Sequence, residues 1–321
     1  MAHVITSAEY AQILQRAQSR EDHNLFSGQH YLIVDLEQIK VSSMPLPMLP
    51  VIGINGKEDH PCIDVFAQNP DQLDLLTQAI DLCPTAATTL VQLLRHNERA
   101  NVIDGLFAES LAYSTLQQSA VFKKWLATRR APKPSQADES PVLVSREKAT
   151  LEIILNRPQV HNAYSTAMRD GLCEALMLAD VDSSIKEIRI CGNGPSYCAG
   201  GDLSEFGSVT DAGVAHVSRT TRSAGALLAG LNCRTEVHVH GACIGAGIEV
   251  PCFADLIEAT EDTLFSLPEV SFGLVPGAGG TVSLTKRIGR HRTAWMALTN
   301  QRISADQALD WGLIDRIKQA D

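Results

Sequence analysis

The sequence predicts an α/β protein with a smaller α+β module at its N-terminus. Predicted strands and helices alternate along the C-terminal part of the 321-residue chain, as in βαβ units of a mostly parallel sheet. In the N-terminal part, short strands come first and helices follow. Between the two parts, residues 129–140 are polar, include two prolines and show no apolar period, which indicates a linker. We therefore predict a module over residues 1–128 and a larger domain over residues 141–321.

The N-terminal module starts with a polar stretch of helical character and continues with short runs of β-forming residues. These runs cover residues 31–36, 51–54 and 62–66. The prolines within residues 44–50 exclude a helix there. Beyond residue 71, apolar residues recur at helical spacing. They predict helices around Leu76 and Leu93 and a long helix over residues 106–126.

The larger domain shows the alternating pattern. Its predicted strands cover residues 151–155, 188–191, 237–240 and 255–259. Its predicted helices cover residues 166–179 and 215–231, and another starts near Gly247. The pattern is typical of strands joined by crossover helices.

Charge and apolar pattern exclude several classes of protein. The formal net charge is −10 and Lys and Arg form no cluster, so no nucleic-acid partner is expected. No apolar run reaches the roughly 20 residues of a membrane-spanning helix, and the N-terminus lacks the pattern of a secretory signal. The eight cysteines show neither a C-x-x-C pair nor zinc spacing, which indicates reduced thiols. We expect a soluble, cytoplasmic protein with no membrane partner.

Two histidines are candidate metal ligands, because His238 and His240 lie on one face of a predicted strand. The sequence indicates no third ligand for them. Partly buried strand histidines explain the pattern without a metal, and we predict no metal site.

Two stretches of small residues each follow a predicted strand. Residues 197–203 read Tyr-Cys-Ala-Gly-Gly-Asp-Leu, and residues 240–249 read His-Gly-Ala-Cys-Ile-Gly-Ala-Gly-Ile-Glu. Small side chains let a ligand approach the backbone, and the first N–H groups of a helix have no partner within it. Two such turns can place two N–H donors on one carbonyl oxygen, which is the geometry of an oxyanion hole. For each stretch alone, an ordinary tight turn or close helix–strand packing is the alternative explanation.

Two glutamates accompany these stretches. Glu249 ends the second stretch, and Glu269 follows Pro268 in an apolar neighbourhood. An apolar environment raises the pKa of a carboxyl group, which suits a general acid or base. The alternative for Glu269 is a solvated side chain at a helix start, where the helix dipole favours it.

Together, these stretches resemble the crotonase (enoyl-CoA hydratase/isomerase) superfamily from about residue 142 onward. The matching pieces are Leu155-Asn156-Arg157-Pro158 with Asn162-Ala163, residues 198–203, Gly241 with Gly245-Ala246-Gly247 and Glu249, and Pro268-Glu269 with Gly273 and residues 276–280. Their order and their spacing both fit the family.

The resemblance implies a fold of repeated ββα turns wound into a superhelix that binds the thioester of an acyl-CoA. It implies that the N–H groups of Gly201 and Ala246 form the oxyanion hole, although Gly is usual at the second position. The two glutamates of hydratases correspond to Glu249 and Glu269. The implied CoA contacts are Val160, His161, Ala163, Ala199, Asp202 and Leu203. Coenzyme A enters as part of the substrate, and no other cofactor is implied.

The presence of both glutamates favours hydration of a 2-enoyl-CoA. We assign Glu249 as the base that activates water for attack on C3, and Glu269 as the acid that protonates C2. Isomerisation, thioester hydrolysis and cofactor-independent oxygenation of an aryl-CoA remain open alternatives. A non-catalytic acyl-CoA-binding subunit is disfavoured, because a pure binder gains little from two buried carboxylates.

The chain departs from the family at both ends. Family members typically continue for some tens of residues beyond the point that matches residues 311–315, with helices that cover the acyl site and build a trimer. Ordinary hydratases lack the N-terminal module, although a similar extension precedes the crotonase domain of a dioxygenase acting on an arylacetyl-CoA. We expect the N-terminal helices, including the one over residues 106–126, to replace that cover. The residues expected at that interface are Tyr113, Trp125, Arg129 and Arg130. The resemblance also implies a homo-oligomer, a trimer or a hexamer.

Overall fold

The computed structural model describes most of the chain. It covers residues 4–6, 9, 10, 12, 13, 19–37, 46–129 and 140–318. Most of the predicted linker, including Arg130, lies outside these residues, as does part of the N-terminal polar stretch.

A parallel sheet opens the described part of the chain. Its strands, in spatial order, are β1 (Val4–Ile5), β2 (Leu32–Asp35), β3 (Val51–Ile54) and β4 (Val65–Phe66). A short helix, α1 (Ser19–Asp22), precedes β2. The first three residues of both β2 and β3 are buried, because these central strands are covered on both faces. The strand predicted over residues 51–54 is confirmed. Of the run predicted over residues 62–66, only Val65–Phe66 is a strand, β4.

Helices follow this sheet. They are α2 (Pro70–Leu82), α3 (Pro84–Asn97), α4 (Val102–Gln117) and α5 (Ala120–Ala127). Proline begins α2 and α3, at a position where the N–H that it lacks has no helical partner anyway. The prediction of one helix over residues 106–126 is wrong. The chain breaks at Gln118, and the Ser119 hydroxyl accepts a hydrogen bond from the Phe122 N–H, which starts α5.

The C-terminal part builds two sheets. Its strands are β5 (Val142–Glu147), β6 (Thr150–Leu155), β7 (Glu187–Gly192), β8 (Arg234–Val239), β9 (Ala242–Ile244), β10 (Leu256–Thr260), β11 (Leu264–Ser266), β12 (Ile303–Ser304) and β13 (Arg316–Lys318). The larger sheet has the order β13-β10-β8-β7-β6-β5 and is parallel except for the β5–β6 pair. The smaller sheet has the order β12-β11-β9. The chain passes from the larger sheet to the smaller one at β8–β9 and again at β10–β11, which produces repeated two-strand turns.

Helices connect and cover these strands. They are α6 (Thr166–Val181), α7 (Ala212–Thr221), α8 (Ala224–Gly230), α9 (Ala246–Glu249), α10 (Gly280–Thr299) and α11 (Ala305–Trp311). The single helix predicted over residues 215–231 is wrong, because Ser223 caps a new helix, α8, after a break at Arg222. Helix α10 is interrupted at Gly289, whose φ is 79°. Within the described residues, none of the helices combines the length and apolar character that crossing a bilayer demands.

One hydrophobic core runs through both parts of the chain. It contains Ile33 and Leu90 from the N-terminal part together with Ile190 and Leu284 from the C-terminal part. Polar contacts follow the same path. Arg290 of α10 is only 4% exposed and donates hydrogen bonds to the carbonyl groups of Ile63 and Pro61. A buried cation of the larger domain therefore takes its partners from the N-terminal module.

Candidate active site

A cavity of about 290 Å³ lies where helix α4 meets the C-terminal part of the chain. Its wall includes the four residues that the sequence singles out for chemistry, which are Gly201, Ala246, Glu249 and Glu269. Leu106, Glu109 and Tyr113 of α4 contribute to the same wall. These four positions therefore lie around one cavity, and a helix of the N-terminal part joins them.

The Gly201 N–H is oriented by its neighbours. Tyr164 pairs with Gly201 in a parallel bridge, in which the Tyr164 N–H donates to the Gly200 carbonyl at 2.8 Å. The Tyr164 carbonyl accepts from the Asp202 N–H at 3.0 Å. In a parallel bridge of this kind, the central residue turns its own N–H away from the partner strand. The Gly201 N–H therefore does not donate a hydrogen bond to Tyr164.

The Ala246 N–H is left without a helical partner by the start of α9. Ala246 is the first residue of that helix, and the first N–H groups of a helix have no acceptor within it. Gly245 caps the helix with φ 51° and ψ −122°, a conformation that L side chains rarely adopt. Two backbone N–H groups that are free of partners in their own elements thus lie in one cavity wall.

Glu249 is almost completely buried, with 1% of its surface exposed. Its Oε2 atom accepts hydrogen bonds from the N–H groups of Ala278 at 2.7 Å and Gly280 at 2.9 Å. Burial raises the pKa of Glu249 to about 7, and the two N–H donors counteract this rise by stabilising the carboxylate. The group can therefore exchange protons near neutral pH.

Glu269 is also buried but lacks the hydrogen-bond donors that Glu249 has. It is 8% exposed, and its buried Oε2 finds no hydrogen-bond donor among the described residues. Burial, followed by the charge of Glu249, raises the pKa of Glu269 well above its ordinary value. The neutral carboxylic acid is the favoured form.

Both carboxyl groups border Gly245. A Cβ atom added at this glycine would lie 3.6 Å from Glu249 Oε1 and would overlap Glu269 Oε1. The absence of a side chain at Gly245 thus leaves the space in which the two carboxyl groups approach each other, next to the Ala246 N–H.

Comparison with known proteins identifies the family of the chain. A sequence model of the enoyl-CoA hydratase/isomerase family matches residues 145–321. The 2,3-dehydroadipyl-CoA hydratase of Escherichia coli (strain K12) is 35% identical over 182 residues, which are 57% of this chain and 71% of that protein. The chain belongs to the enoyl-CoA hydratase/isomerase family.

Other relatives agree with this assignment. The mevalonyl-coenzyme A hydratase of Aspergillus fumigatus is 32% identical over 176 residues, 53% of this chain and 63% of that protein. The crystal structure of an enoyl-CoA hydratase from Thermoplasma volcanium superimposes with a TM-score of 0.53 at 27% identity, over 58% of this chain and 75% of that one. The prediction of a crotonase-type α/β fold is confirmed.

In this member of the enoyl-CoA hydratase/isomerase family, the positions expected to contact CoA form two joined loops. The Ala199 N–H donates to the His161 carbonyl at 2.9 Å, and Asp202 pairs with Arg157 at 2.9 Å. The cavity wall contains none of the six predicted positions, Val160, His161, Ala163, Ala199, Asp202 and Leu203. Their contact with CoA therefore stays a prediction for the outer surface beside the site.

Sequence reasoning missed a third buried glutamate, Glu109 of α4, which is 2% exposed. Its Oε1 accepts from the Gly279 N–H at 2.7 Å, and its Oε2 accepts from the Thr281 N–H at 3.0 Å and from the Thr281 hydroxyl at 2.6 Å. Burial, followed by the charge of Glu249, raises the pKa of Glu109 to about 8. Glu109 lies outside residues 145–321 that match the family.

The interface residues expected from the N-terminal part lie where predicted, as far as they are described. Tyr113 packs its ring against Gly277. Trp125 stacks on Phe272 with ring centroids 4.6 Å apart. The Arg129 guanidinium lies 5.0 Å from the centroid of the Trp125 ring. Helix α4 therefore borders the cavity, and α5 packs against the C-terminal part of the chain.

The two strand histidines have separate environments. His238 lies 3.2 Å from Glu236 and 2.9 Å from Glu258. These three side chains are close enough to hold a metal ion, but Arg316 also forms ion pairs with both glutamates. His240 instead contacts the Gly194 carbonyl at 2.9 Å. The pair does not form one cluster.

Proposed function

We propose that this enzyme hydrates the double bond of a 2-enoyl-CoA. The thioester carbonyl oxygen accepts hydrogen bonds from the N–H groups of Gly201 and Ala246, which share the cavity wall. These donors stabilise the negative charge that develops on this oxygen when water attacks C3. In other enzymes, loss of one such donor raises the barrier by about 3–4 kcal/mol.

The contrast between the two glutamates carries the assignment of their roles. Glu249 receives two backbone N–H donors, which favour its carboxylate, whereas Oε2 of Glu269 receives none. A pair of titratable groups whose environments separate their pKa values divides into a base and an acid. Glu249 is therefore the base, and Glu269 is the acid.

The reaction is balanced with these two groups and one water molecule. The Glu249 carboxylate removes a proton as the water oxygen forms a bond to C3. The C2–C3 double bond becomes a single bond, and the resulting enolate takes a proton at C2 from Glu269. The protonation states of the two glutamates are then exchanged, and a proton returns from Glu249 to Glu269 before the next turnover.

A spectrophotometric assay with crotonyl-CoA and longer 2-enoyl-CoAs tests this proposal through loss of the enone absorbance. Glu249→Gln and Glu269→Gln should each lower kcat by roughly 10²–10⁴-fold, as expected for loss of a general acid or base. Glu147→Gln, an exposed position on β5, is the matched control and should retain activity. No turnover of any 2-enoyl-CoA by the folded wild-type enzyme would exclude hydration. Retained double-bond migration in Glu249→Gln would instead indicate a one-base isomerase.

A further inference from the structure

We propose that Arg219 binds a carboxylate at the far end of the acyl group, so that the substrates are CoA thioesters of dicarboxylic acids. The inference rests on the proposed function only in placing the thioester beside Gly201 and Ala246. Arg219 belongs to α7 and contributes to the cavity wall.

The hydrogen bonds of Arg219 leave most of its guanidinium without an acceptor. Within the described residues, Nη2 of Arg219 donates hydrogen bonds to Ser114 Oγ and Gln117 Oε1, and both acceptors are neutral. Its Nε is buried and finds no acceptor in the described part of the chain. A guanidinium has five N–H donors, and in a partly buried site they require acceptors.

The neighbouring arginines differ from Arg219 in this respect. Arg169 and Arg222 also contribute to the cavity wall, but each has a carboxylate partner. Arg169 lies 2.8 Å from Asp170, and Arg222 lies 3.3 Å from Glu174. Among the described acidic side chains, none lies within ion-pair distance of Arg219. Arg219 is thus a partly buried cation whose counter-ion is not supplied by the described protein.

The surroundings of Arg219 compensate for its charge only in part. The guanidinium lies 4.5 Å from the centroid of the Tyr113 ring, which provides a cation–π contact. Glu109, on the same helix as Tyr113, directs both carboxylate oxygens to Gly279 and Thr281 instead. Removing a cation from water without an anionic partner is unfavourable, and a bound carboxylate would supply that partner in a bidentate geometry.

A chain of contacts connects Arg219 with Glu249. Its guanidinium stacks on Tyr113, the Tyr113 ring packs on Gly277, and the next residue, Ala278, donates to the base Glu249. An acyl chain that starts at the two N–H donors and crosses the face of Tyr113 therefore ends at the cation. The phosphates of CoA are the other anions that this ligand carries, so the experiment separates the two sources.

Calorimetric titration with saturated thioesters tests the proposal without turnover. The ligands are succinyl-, glutaryl- and adipyl-CoA, each paired with the monocarboxylic acyl-CoA of equal chain length, and free CoA. At least one dicarboxylic thioester should bind wild-type protein about tenfold or more tighter than its partner, because a charge-assisted hydrogen bond contributes at least that factor. Arg219→Gln should abolish this preference, and Arg219→Lys should retain part of it. Arg189→Gln, which removes an exposed charge that pairs with Glu187, should leave the preference unchanged.

Two outcomes would overturn the proposal. One is that wild-type protein binds each dicarboxylic thioester no tighter than its monocarboxylic partner. The other is that Arg219→Gln weakens the binding of free CoA and of every thioester by the same factor. That result would show that Arg219 binds a CoA phosphate or only supports folding. Since saturated thioesters are not hydrated, a preference that depends on Arg219 would stand even if the enzyme hydrated no enoyl-CoA.

Discussion

Glu109 and Glu249 accept hydrogen bonds from alternate backbone N–H groups of one four-residue segment. Glu249 receives the N–H groups of Ala278 and Gly280, and Glu109 receives those of Gly279 and Thr281. This segment leads into α10, so the positive end of a helix dipole lies between two carboxyl groups. The N-terminal module therefore helps to fix the backbone that orients the proposed base.

The pH dependence of activity should have two limbs. Glu249 must be ionised to accept a proton, and since its pKa is raised to about 7, kcat/KM should fall as the pH drops through about 7. Glu269 must be protonated to donate, so kcat/KM should also fall as the pH rises through its raised pKa. A pH profile of kcat/KM with crotonyl-CoA measures both limbs. An acid limb at the ordinary carboxyl value of 4.5 would contradict this assignment.

Glu109→Gln should lower kcat/KM and move the alkaline limb to lower pH. The amide loses at least one hydrogen bond to the segment 279–281, which disturbs the contacts of Glu249. It also removes a negative charge that raises the pKa of Glu269, so the pKa of Glu269 should decrease.

Asp104→Asn is the matched control for this variant, because it removes an exposed charge from the same helix. Its profile should match that of the wild type. A loss of activity in Glu109→Gln with both limbs unmoved would show that Glu109 acts only on stability.

Gly245→Ala should nearly abolish activity and lower the free energy of unfolding. The new Cβ would displace the Glu269 carboxyl, and a non-glycine residue at φ 51° and ψ −122° adds backbone strain of about 1–3 kcal/mol. Thermal unfolding and the crotonyl-CoA assay measure the two effects. Gly230→Ala is the control, since no heavy atom lies within 4 Å of its added Cβ. Wild-type activity in Gly245→Ala would show that the space beside Gly245 is not used in catalysis.

Removal of residues 1–129 should abolish soluble expression of the remaining chain. The deletion takes away 15 of the 57 buried residues that the structure describes in the shared core and leaves Arg290, which is 4% exposed, without Ile63 and Pro61 as acceptors. Size-exclusion chromatography and circular dichroism report the result. A protein cut at a protease site inserted between residues 129 and 140 is the control, and it should stay folded because both parts remain. A soluble, active fragment 130–321 would contradict the prediction.

Local patterns located several of the strands. The run over residues 51–54 is β3, and the strand predicted over residues 151–155 is β6 with one more residue. Gly201, Ala246, Glu249 and Glu269 line one cavity, as expected from small-residue turns and a proline-preceded glutamate. These features could be predicted because each depends on residues that are close in sequence.

The missed glutamate depends on long-range packing. Along α4, the apolar stripe of Ile103, Phe107 and Leu111 is exposed, while Glu109 and Ser114 are buried. The usual rule that the apolar stripe of a helix faces the core gives the wrong face here. The backbone N–H groups of Gly279 and Thr281 and the Thr281 hydroxyl, about 170 positions away, explain why a carboxylate is buried at this point.

Helix α4 lies outside the residues that match the family, yet it forms one wall of the cavity. The proposed catalytic groups and the opposing wall are consequently encoded in separate stretches of the gene. Substitutions in the first stretch that keep Glu109 should change which acyl groups are accepted without removing the proposed catalytic groups. Chimeras that exchange the first 129 residues between homologues of this architecture would be a direct route to new substrate ranges.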